Sequence, residues 1–373
     1  MKICVLSHGY PTSKTASSVF VAKLCDEFAD QGHEVTIIAP QSISNILLRD
    51  GAFSSIVFKH KTAKGNIVYV YRPYTMSFGT GKVCSIMNFY LKKRSIKKVI
   101  SKIDEQDVFY AHFWSTGYLL YSVIKKLGKP MFVATGESII SFRTDDSEFK
   151  HYVRGVISVS SKNVNESVNA GLTTIEKCIV LPNAIDSNEF YKMDREQCRK
   201  QLGIKDDEFV VGQVGTVCHR KGSMRISAAI DKCHDEKIRS FFLGRTSTEI
   251  PNCKGIIKLG FVNHVDVPIY LNAADVYCLP SLAEGCSNSI VEAMACGLPI
   301  ISSNLPFNED ILDEGNAILV DPNSVEQISD AILKLKQDPQ LRELMSENSL
   351  KKANVLTLEN RAKKIITFIK ERM

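Results

Sequence analysis

Two glutamates and the start of a helix lie close together in the stretch PSLAEGCSNSIVEAMACGLPII, residues 280–301. A strand pattern leads into a loop of small and polar residues, and the residues from Asn288 onwards are typical of a helix. A helix start offers free backbone N–H groups and a positive dipole end, which favour an anion such as phosphate. We expect Ser287 or Asn288 to cap this helix and Gly297 to end it.

The side chains around this helix start predict a ligand that carries both phosphate and hydroxyl groups. Small residues let an anion approach closely, and they are Gly285, Ser287 and Ser289. Glu284 and Glu292 lie before and within the helix. A carboxylate beside a phosphate is electrostatically costly unless it has another task, such as accepting hydrogen bonds from sugar hydroxyls. The alternative is a capped helix with two surface glutamates.

The whole segment resembles the E-x7-E signature of retaining glycosyltransferases of family four (glycosyl transferases group 1), which have the GT-B fold. That signature reads approximately P-S-x-x-E-G-x6-E-A-M-A-x-G-x-P, and residues 280–299 supply every fixed letter. The resemblance implies that Glu292 holds the ribose hydroxyls of a nucleotide and that backbone near Asn288 and Ser289 binds its distal phosphate. It also implies that Glu284 contacts the transferred sugar.

Further segments resemble the same family over most of the chain. ADVYCLPS at residues 274–281 leads into the signature. VLPNAIDSNEF at residues 180–190 resembles the hinge motif of the family, with Ala184 where glycine is common. GHEVTIIAP at residues 32–40 resembles its first helix–strand junction.

A second anion site is predicted in GQVGTVCHRKG, residues 212–222, where a strand leads through a glycine-containing loop into a helix. Its spacing matches neither the dinucleotide fingerprint nor the phosphate loop of nucleoside triphosphatases. The family has G-R-L-x-x-x-K-G here, whose cations are implied to neutralise the departing diphosphate, and Lys221 and Gly222 match it. Thr216 replaces the arginine, and Arg220 is the candidate for the missing charge. The alternative is a basic helix start on the surface.

In the first half of the chain, His112 ends a strand pattern, which places an imidazole at the edge where parallel sheets bind ligands. AHFWSTG, residues 111–117, resembles an A-H-F segment of the family. A structural histidine is the alternative. His112 joins Glu284, Lys221 and Arg220 as the candidate catalytic residues.

Two loops in this half depart from the family. In ATGES, residues 134–138, Thr135 stands where many relatives have a histidine that contacts the sugar. Thr135 and Glu137 are therefore expected to contact the donor or acceptor instead. The glycine-rich loop before the first helix is also altered, and there Ser17 and Ser18 are the candidates to face phosphate.

Parallel strands are needed to position these segments, and the chain alternates short apolar strands with helices almost throughout. We predict an α/β fold of two Rossmann-like doubly wound parallel-sheet domains that face each other across a cleft, the GT-B arrangement. The clearest elements are a helix at 19–30 and strands at 209–214 and 317–320. The predicted divisions are an acceptor-side domain (1–183), a connection (184–205), a nucleotide-sugar domain (206–355) and a C-terminal helix (356–373) that packs back on the first domain.

Composition argues against several other classes of protein. The chain has 373 residues, of which 44% are hydrophobic and 24% charged, and its net charge of +6 is too small to indicate nucleic acid. No apolar run reaches the roughly 18–20 residues of a membrane helix, and the start lacks a signal-peptide pattern. The eleven cysteines are scattered without a C-x-x-C pair. We therefore expect reduced cysteines and a cytoplasmic protein.

Basic side chains concentrate in FYLKKRSIKKVISKI, residues 89–103. One helical face of this segment is apolar, and the other carries the cations Lys92, Lys93, Arg94, Lys97, Lys98 and Lys102. Such a helix can rest on an anionic bilayer, which predicts peripheral contact with the inner face of the cell membrane. A core-packed helix with a solvated basic face is the alternative.

The predicted activity is transfer of a sugar, with retention at the anomeric carbon, from a nucleotide-diphosphate sugar to a hydroxyl of a glycan or lipid-linked oligosaccharide in surface polysaccharide biosynthesis. UDP is favoured over GDP. No metal or other cofactor is expected, because cations and helix N–H groups can stabilise the leaving diphosphate and the chain has no D-x-D motif. The alternatives are a sugar-nucleotide epimerase of the same fold and a catalytically silent sugar-nucleotide-binding subunit.

Overall fold

A computed structural model of the chain describes residues 1–12, 18–48, 53, 55–79, 81–247 and 250–373. The chain divides into two compact units. The first unit contains residues 1–159, 163–181 and 358–373, and the second contains residues 160–162 and 182–357.

Strands and helices alternate along most of the described chain. The strands are β1 (Lys2–Leu6), β2 (Glu34–Ile38), β3 (Gln41–Ser42), β4 (Val57–Lys61), β5 (Ile67–Tyr71), β6 (Tyr74–Thr75), β7 (Val108–His112), β8 (Met131–Thr135), β9 (Val153–Ser158), β10 (Cys178–Val180), β11 (Phe209–Val214), β12 (Ile238–Leu243), β13 (Ile256–Gly260), β14 (Val276–Leu279), β15 (Ile300–Ser303) and β16 (Ala317–Val320). The α-helices are α1 (Val19–Asp30), α2 (Ile43–Leu48), α3 (Lys82–Ile100), α4 (Trp114–Ile124), α5 (Ser147–Tyr152), α6 (Ser161–Asn169), α7 (Arg195–Leu202), α8 (Ser223–Lys232), α9 (Val267–Ala273), α10 (Asn288–Ala295), α11 (Val325–Gln337), α12 (Pro339–Ala353) and α13 (Leu358–Lys370).

The first unit is built on an eight-stranded sheet in the order β10-β9-β8-β7-β1-β2-β5-β4. Its strands pair in parallel except for the edge strand β4, which is antiparallel to β5. Successive side chains of β1 point to opposite faces, so Ile3 and Val5 belong to one apolar core while Cys4 and Leu6 belong to the other. Helices therefore cover both faces of this sheet, as expected for a doubly wound fold.

The C-terminal helix α13 belongs to the first unit, although the chain passes through the whole second unit before reaching it. Ile365 and Ile369 are completely buried in the same core as Phe28 of α1. Full burial of one such side chain contributes about 1.5–3 kcal/mol to stability. Helix α13 thus forms part of the first unit's core.

The second unit contains a fully parallel six-stranded sheet in the order β13-β12-β11-β14-β15-β16. Helices α8 and α11 pack on one face of it, and the core there includes Ile226, Phe242 and Ile332. The carboxyl ends of β11 and β14, at the centre of the sheet, lead into the two segments singled out in the sequence.

The residues of the predicted connection, 184–205, belong to the second unit. Helix α7 begins after Asp194, whose side chain accepts a hydrogen bond from Gln197 N. Arg199 of this helix is only 1% exposed, and its guanidinium lies 2.6 Å from the Asp275 carboxylate. It also donates to the carbonyl oxygens of Lys205 and Ala273. The Arg199 guanidinium can be buried here because it meets acceptors that fix it.

Several predicted elements are confirmed, including α1, β11 and β16, whose bounds match the sequence pattern. The sequence pattern predicts no strand at β4 or β5, which the structure contains. Each of the eleven cysteines is a free thiol. Among the residues described, there is no helix with the length and apolar character that a bilayer crossing requires.

Candidate active site

In the second unit, the Glu284 carboxylate contacts two of the basic side chains that the sequence predicts for the site. It lies in the loop between β14 and α10 and is 8% exposed. Its Oε1 atom is 2.7 Å from Lys221 Nζ and 2.7 Å from Arg220 Nη1, and Ser281 Oγ donates to it at 3.0 Å. One carboxylate between two cations leaves one net positive charge, which favours an anionic ligand.

Arg220, the candidate for the missing charge, is oriented towards Glu284. Its Nη1 atom also donates to the carbonyl oxygen of Ala283 at 2.5 Å. The Lys221 side chain is only 12% exposed, so it is not the basic surface group of the alternative interpretation. Thr216 is exposed on the loop that follows β11. The guanidinium of Arg220 and the ammonium group of Lys221 therefore lie beside the same carboxylate oxygen.

Gly222 holds Lys221 at the start of α8. Its φ is +80°, and a Cβ atom there would lie 2.8 Å from the carbonyl oxygen of Pro280. A residue with a side chain would push apart the loops that carry Lys221 and Glu284. Arg225, in the first turn of α8, joins the same loops because it donates to the carbonyl oxygens of His219 and Pro280, each at 3.0 Å.

Two further glycines bring the loops after β11 and β12 together beside Lys221. Gly244 has a φ of +146°, and a Cβ atom there would lie only 2.0 Å from the carbonyl oxygen of Gly215. A Cβ atom on Gly215 would lie 3.6 Å from Lys221 Cε. The backbone next to the ammonium group therefore carries no side chain, which lets a ligand approach closely.

The start of α10 lacks the predicted side-chain cap. Ser287 is the N-cap residue, but its hydroxyl makes no capping hydrogen bond and lies 3.1 Å from Ser289 Oγ instead. Ser287 therefore occupies the predicted N-cap position, but its hydroxyl interacts with that of Ser289 and not with the helix backbone. Asn288 is exposed and Gly285 is buried in the preceding loop. The helix-start N–H groups are thus not occupied by the Ser287 hydroxyl and suit an anion.

Tyr277 is a residue of this site that the sequence analysis missed. It is completely buried on β14, and its hydroxyl oxygen lies 2.7 Å from Ser289 Oγ and 3.1 Å from the carbonyl oxygen of Val214. Burial raises its pKa well above the usual value, and the charges of Glu292 and Glu284 add to this effect. A neutral tyrosine therefore connects the end of β11 to the start of α10. In the sequence, the signal for this residue is a tyrosine within the apolar run that forms β14.

Glu292 lies in the second turn of α10 and is partly exposed. Its carbonyl oxygen accepts the hydrogen bond from Cys296 N that closes the helix. Helix α10 then ends at Gly297, which has a φ of +78°, as predicted. Glu292 and Glu284 therefore lie on the same helix-and-loop segment, with the helix start between them.

His112 lies at the carboxyl end of β7 in the first unit and is 5% exposed. Aromatic rings surround it, with Phe20 at 5.3 Å and Tyr110 at 5.4 Å between ring centroids. Its Nε2 atom is buried and has no hydrogen-bond partner among the described residues. Burial, then the charges of Arg361 and His8, lower the pKa of His112 to about 3. The imidazole is therefore neutral at physiological pH.

The lowered pKa of His112 predicts a pH-dependent stability. Between the usual value of 6.5 and about 3, the unfolded chain binds a proton that the folded chain does not. Stability from this group is thus complete above pH 6.5 and is lost as the pH falls towards 3. We expect His112→Asn to remove this part of the pH dependence, measured as the denaturation midpoint at several pH values. The prediction would be contradicted if the denaturation midpoints of the variant and of the parent protein changed with pH in the same way.

Thr135 and Glu137 both have partners within the first unit. The Thr135 side chain is buried and donates to Ser158 Oγ at 3.0 Å. The Glu137 carboxylate accepts a hydrogen bond from Gly136 N at 2.9 Å and from the backbone of Trp114, the first residue of α4. Burial raises the pKa of Glu137, while these N–H groups oppose the shift. Their contact with donor or acceptor stays a prediction.

Ser18 precedes α1, and Ser17 lies outside the described residues. Ser18 has a φ of +56°, and its carbonyl oxygen accepts hydrogen bonds from Val21 N and Ala22 N. Its side chain makes no capping hydrogen bond. The exposed ring of Phe20, two residues later, contacts His112, so the start of α1 lies near the carboxyl end of β7.

The predicted residues thus form one set in each unit. Glu284, Lys221 and Arg220 meet at a single carboxylate oxygen, and the α10 residues follow directly in the chain. His112 and Thr135 are the last residues of the neighbouring strands β7 and β8, and Glu137 follows β8. Across the described parts of the chain, no group of three or more His, Cys, Asp and Glu side chains is arranged to hold a metal ion.

Known proteins that resemble this chain include sugar transferases. It is 25% identical over 361 residues to TuaC of Bacillus subtilis, named as a teichuronic acid biosynthesis glycosyltransferase, and the alignment covers 91% of this chain and 90% of TuaC. An Escherichia coli protein is 26% identical over 300 residues, 73% of this chain and 76% of that protein. Its name is UDP-Gal:alpha-D-GlcNAc-diphosphoundecaprenol alpha-1,3-galactosyltransferase.

Residues 194–352 match the family model of the glycosyl transferases group 1, and they contain Glu284, Lys221 and Glu292. The chain is a glycosyltransferase. The solved structure of sucrose-phosphate synthase from Thermosynechococcus elongatus superimposes on this glycosyltransferase with a TM-score of 0.79, at 17% identity, covering 99% of this chain and 98% of the synthase. That likeness shows the fold, and the prediction of two Rossmann-like domains of the GT-B class is confirmed.

Proposed function

We propose that this glycosyltransferase transfers a sugar from a UDP-sugar, with retention at the anomeric carbon, to a hydroxyl of a lipid-diphosphate-linked saccharide during surface polysaccharide assembly. The observation that carries this proposal is the meeting of Lys221, Arg220 and Glu284 beside the uncapped start of α10. The name of the Escherichia coli relative supports the donor and acceptor classes, and the name of TuaC supports the biosynthetic context.

In the proposed reaction, the bond between the anomeric carbon and the diphosphate oxygen breaks, and its electron pair stays on the leaving oxygen. Lys221, Arg220 and the N–H groups at the start of α10 stabilise that charge. The acceptor oxygen forms the new bond to the anomeric carbon, and its proton passes to the oxygen of the leaving diphosphate. Because the diphosphate competes with Glu284 for the two cations, the displaced carboxylate becomes available to the hydroxyls of the sugar.

The decisive experiment incubates the purified protein with UDP-sugars and a lipid-diphosphate-linked saccharide in EDTA. We expect sugar transfer without added metal and a product with the anomeric configuration of the donor. Isomerisation of the donor without an acceptor would identify an epimerase, and nucleotide-sugar binding without transfer to any acceptor would identify a silent subunit. If transfer required an added divalent cation, the proposal that the reaction is metal-independent would be wrong.

Glu292 is proposed to accept hydrogen bonds from the ribose of the donor. We expect Glu292→Ala to weaken UDP binding about tenfold or more, because hydrogen bonds to a charged group are worth about 1.5–3 kcal/mol. Calorimetric titration with UDP measures the change. Glu314→Ala is the matched control, since Glu314 is an exposed glutamate of the same unit. An unchanged UDP affinity for Glu292→Ala would show that the ribose role is wrong.

We also propose that helix α3 contacts an anionic bilayer. Its first half exposes an apolar stripe with the spacing i, i+3, i+4, i+7, formed by Val83, Ile86, Met87 and Tyr90, which are 70%, 53%, 44% and 63% exposed. Its second half buries Ile96 and Val99 in the core, while Lys97 and Lys98 are exposed. Packing against the core therefore explains the apolar residues in the second half of α3. The exposed apolar stripe in the first half is available to contact lipid.

The membrane proposal predicts binding to phosphatidylglycerol vesicles in a sedimentation assay and little binding to phosphatidylcholine vesicles. We expect Ile86→Asp to lower the bound fraction severalfold, because it places a charge in the apolar stripe. Ile67→Asp is the control, since Ile67 is a similarly exposed isoleucine (44%) on strand β5. Equal losses for the two variants would argue against insertion of the stripe.

A further inference from the structure

A cavity of about 580 Å³ lies in the first unit between helix α3 and the strands β4, β5 and β6. Its apolar wall includes Ile56, Val57 and Met76, which are about half exposed. Tyr71, Pro73 and Leu91 extend this wall towards α3. The cavity is therefore an open apolar groove wide enough for a hydrocarbon chain.

Cations line only one side of this groove. Arg94, Lys98 and Lys102 follow each other at intervals of four residues, which places them on one face of α3 and its continuation. Among the described residues that line the groove, none is an Asp or a Glu. None of the three cations forms an ion pair with another residue of the described chain. An apolar wall next to unneutralised positive charge suits a ligand with an apolar chain and an anionic head.

We infer that this groove binds the hydrocarbon chain of a lipid diphosphate, whose anionic head lies against Arg94 and Lys98. The inference rests on the proposed function for its biological meaning, since such a lipid would be the carrier of the acceptor saccharide. It differs from the bilayer contact of the α3 stripe, because the groove is lined by Leu91, Ser95 and Val99 on another face of the helix.

The groove has a direct binding test with labelled farnesyl diphosphate in equilibrium dialysis, with farnesol and inorganic diphosphate as competitors. We expect farnesyl diphosphate to bind at least about tenfold more tightly than either competitor, because only it satisfies both parts of the groove. Arg94→Ala/Lys98→Ala should weaken binding about tenfold or more, since charge-assisted contacts are lost. Lys93→Ala/Lys97→Ala removes the same charge outside the groove lining and should change binding by less than about twofold.

A second pair of variants tests the apolar chain. Ser95→Phe fills the groove and should weaken binding of farnesyl diphosphate about as strongly as the Arg94/Lys98 variant, whereas Ser101→Phe lies outside the lining and should not. Competition by inorganic diphosphate or farnesol as strong as that of the lipid would overturn the inference. The inference would also be overturned if the two variants of either pair weakened binding of farnesyl diphosphate equally. UDP affinity, measured on the same samples, tests the donor site separately, so failure of the groove is distinguishable from failure of the proposed function.

Discussion

Replacing Lys221 with methionine is expected to lower kcat for sugar transfer about a hundred- to a thousandfold, the usual effect of removing one preorganised donor to a developing negative charge. The side chain is 12% exposed and lies 2.7 Å from Glu284, so its charge acts in a largely water-excluded place. Initial rates with saturating UDP-sugar and acceptor give the change in kcat.

Two further variants test whether the lower kcat of Lys221→Met results from weaker stabilisation of the leaving diphosphate. Lys232→Met removes the same charge from the far end of α8, where Lys232 pairs with Glu326 at the surface, and should leave kcat unchanged. Arg220→Met should have a smaller effect than Lys221→Met because the Arg220 side chain is 43% exposed. A Lys221→Met enzyme with normal kcat and only a raised KM would contradict a role in stabilising the leaving diphosphate.

Replacing Gly244 with alanine is expected to destabilise the second unit by about 3 kcal/mol or more. Its φ of +146° is a conformation that side chains rarely adopt, and the new Cβ atom would lie 2.0 Å from the carbonyl oxygen of Gly215. Backbone must move to relieve that contact, and the loop that moves lies beside Lys221. We therefore expect a lower denaturation midpoint together with weaker UDP binding.

The control for this prediction is Gly203→Ala in the same unit. Gly203 also has a positive φ, +68°, but a Cβ atom there would meet no other atom within 4 Å, so only the backbone strain of about 1–2 kcal/mol applies. UDP affinity should stay unchanged in this variant. Equal destabilisation by the two alanines would mean that the Gly215–Gly244 contact contributes nothing beyond backbone conformation.

Much of the fold is predictable from local pattern because central strands such as β7, β8 and β14 are buried along their whole length. The bounds of β11 and α1 follow from continuous apolar runs and from a 3.6-residue period. Strand β4, in contrast, alternates exposed and partly buried residues and joins the sheet only as an antiparallel edge. Such a strand carries little apolar signal of its own, since its place depends on the neighbouring strand β5.

The site is predictable in its residue types and less so in its contacts. The two glutamates and Lys221 stand at recognisable spacings, but the direction of Arg220 depends on the loop that carries Glu284, 64 residues away in sequence. Burial of Arg199 depends in the same way on Asp275. Tyr277 and the Gly215–Gly244 contact were missed because each requires two strands to be side by side. Local pattern cannot show such pairs.

The place of α13 has a consequence for how the protein is made. The core of the first unit contains Ile365 and Ile369, so that core is incomplete until α13 has left the ribosome. During synthesis, the apolar face of α1 that contains Phe28 therefore stays uncovered while the entire second unit emerges. The nascent chain therefore exposes a surface that chaperones recognise, and a stop codon before residue 358 would leave that surface exposed permanently.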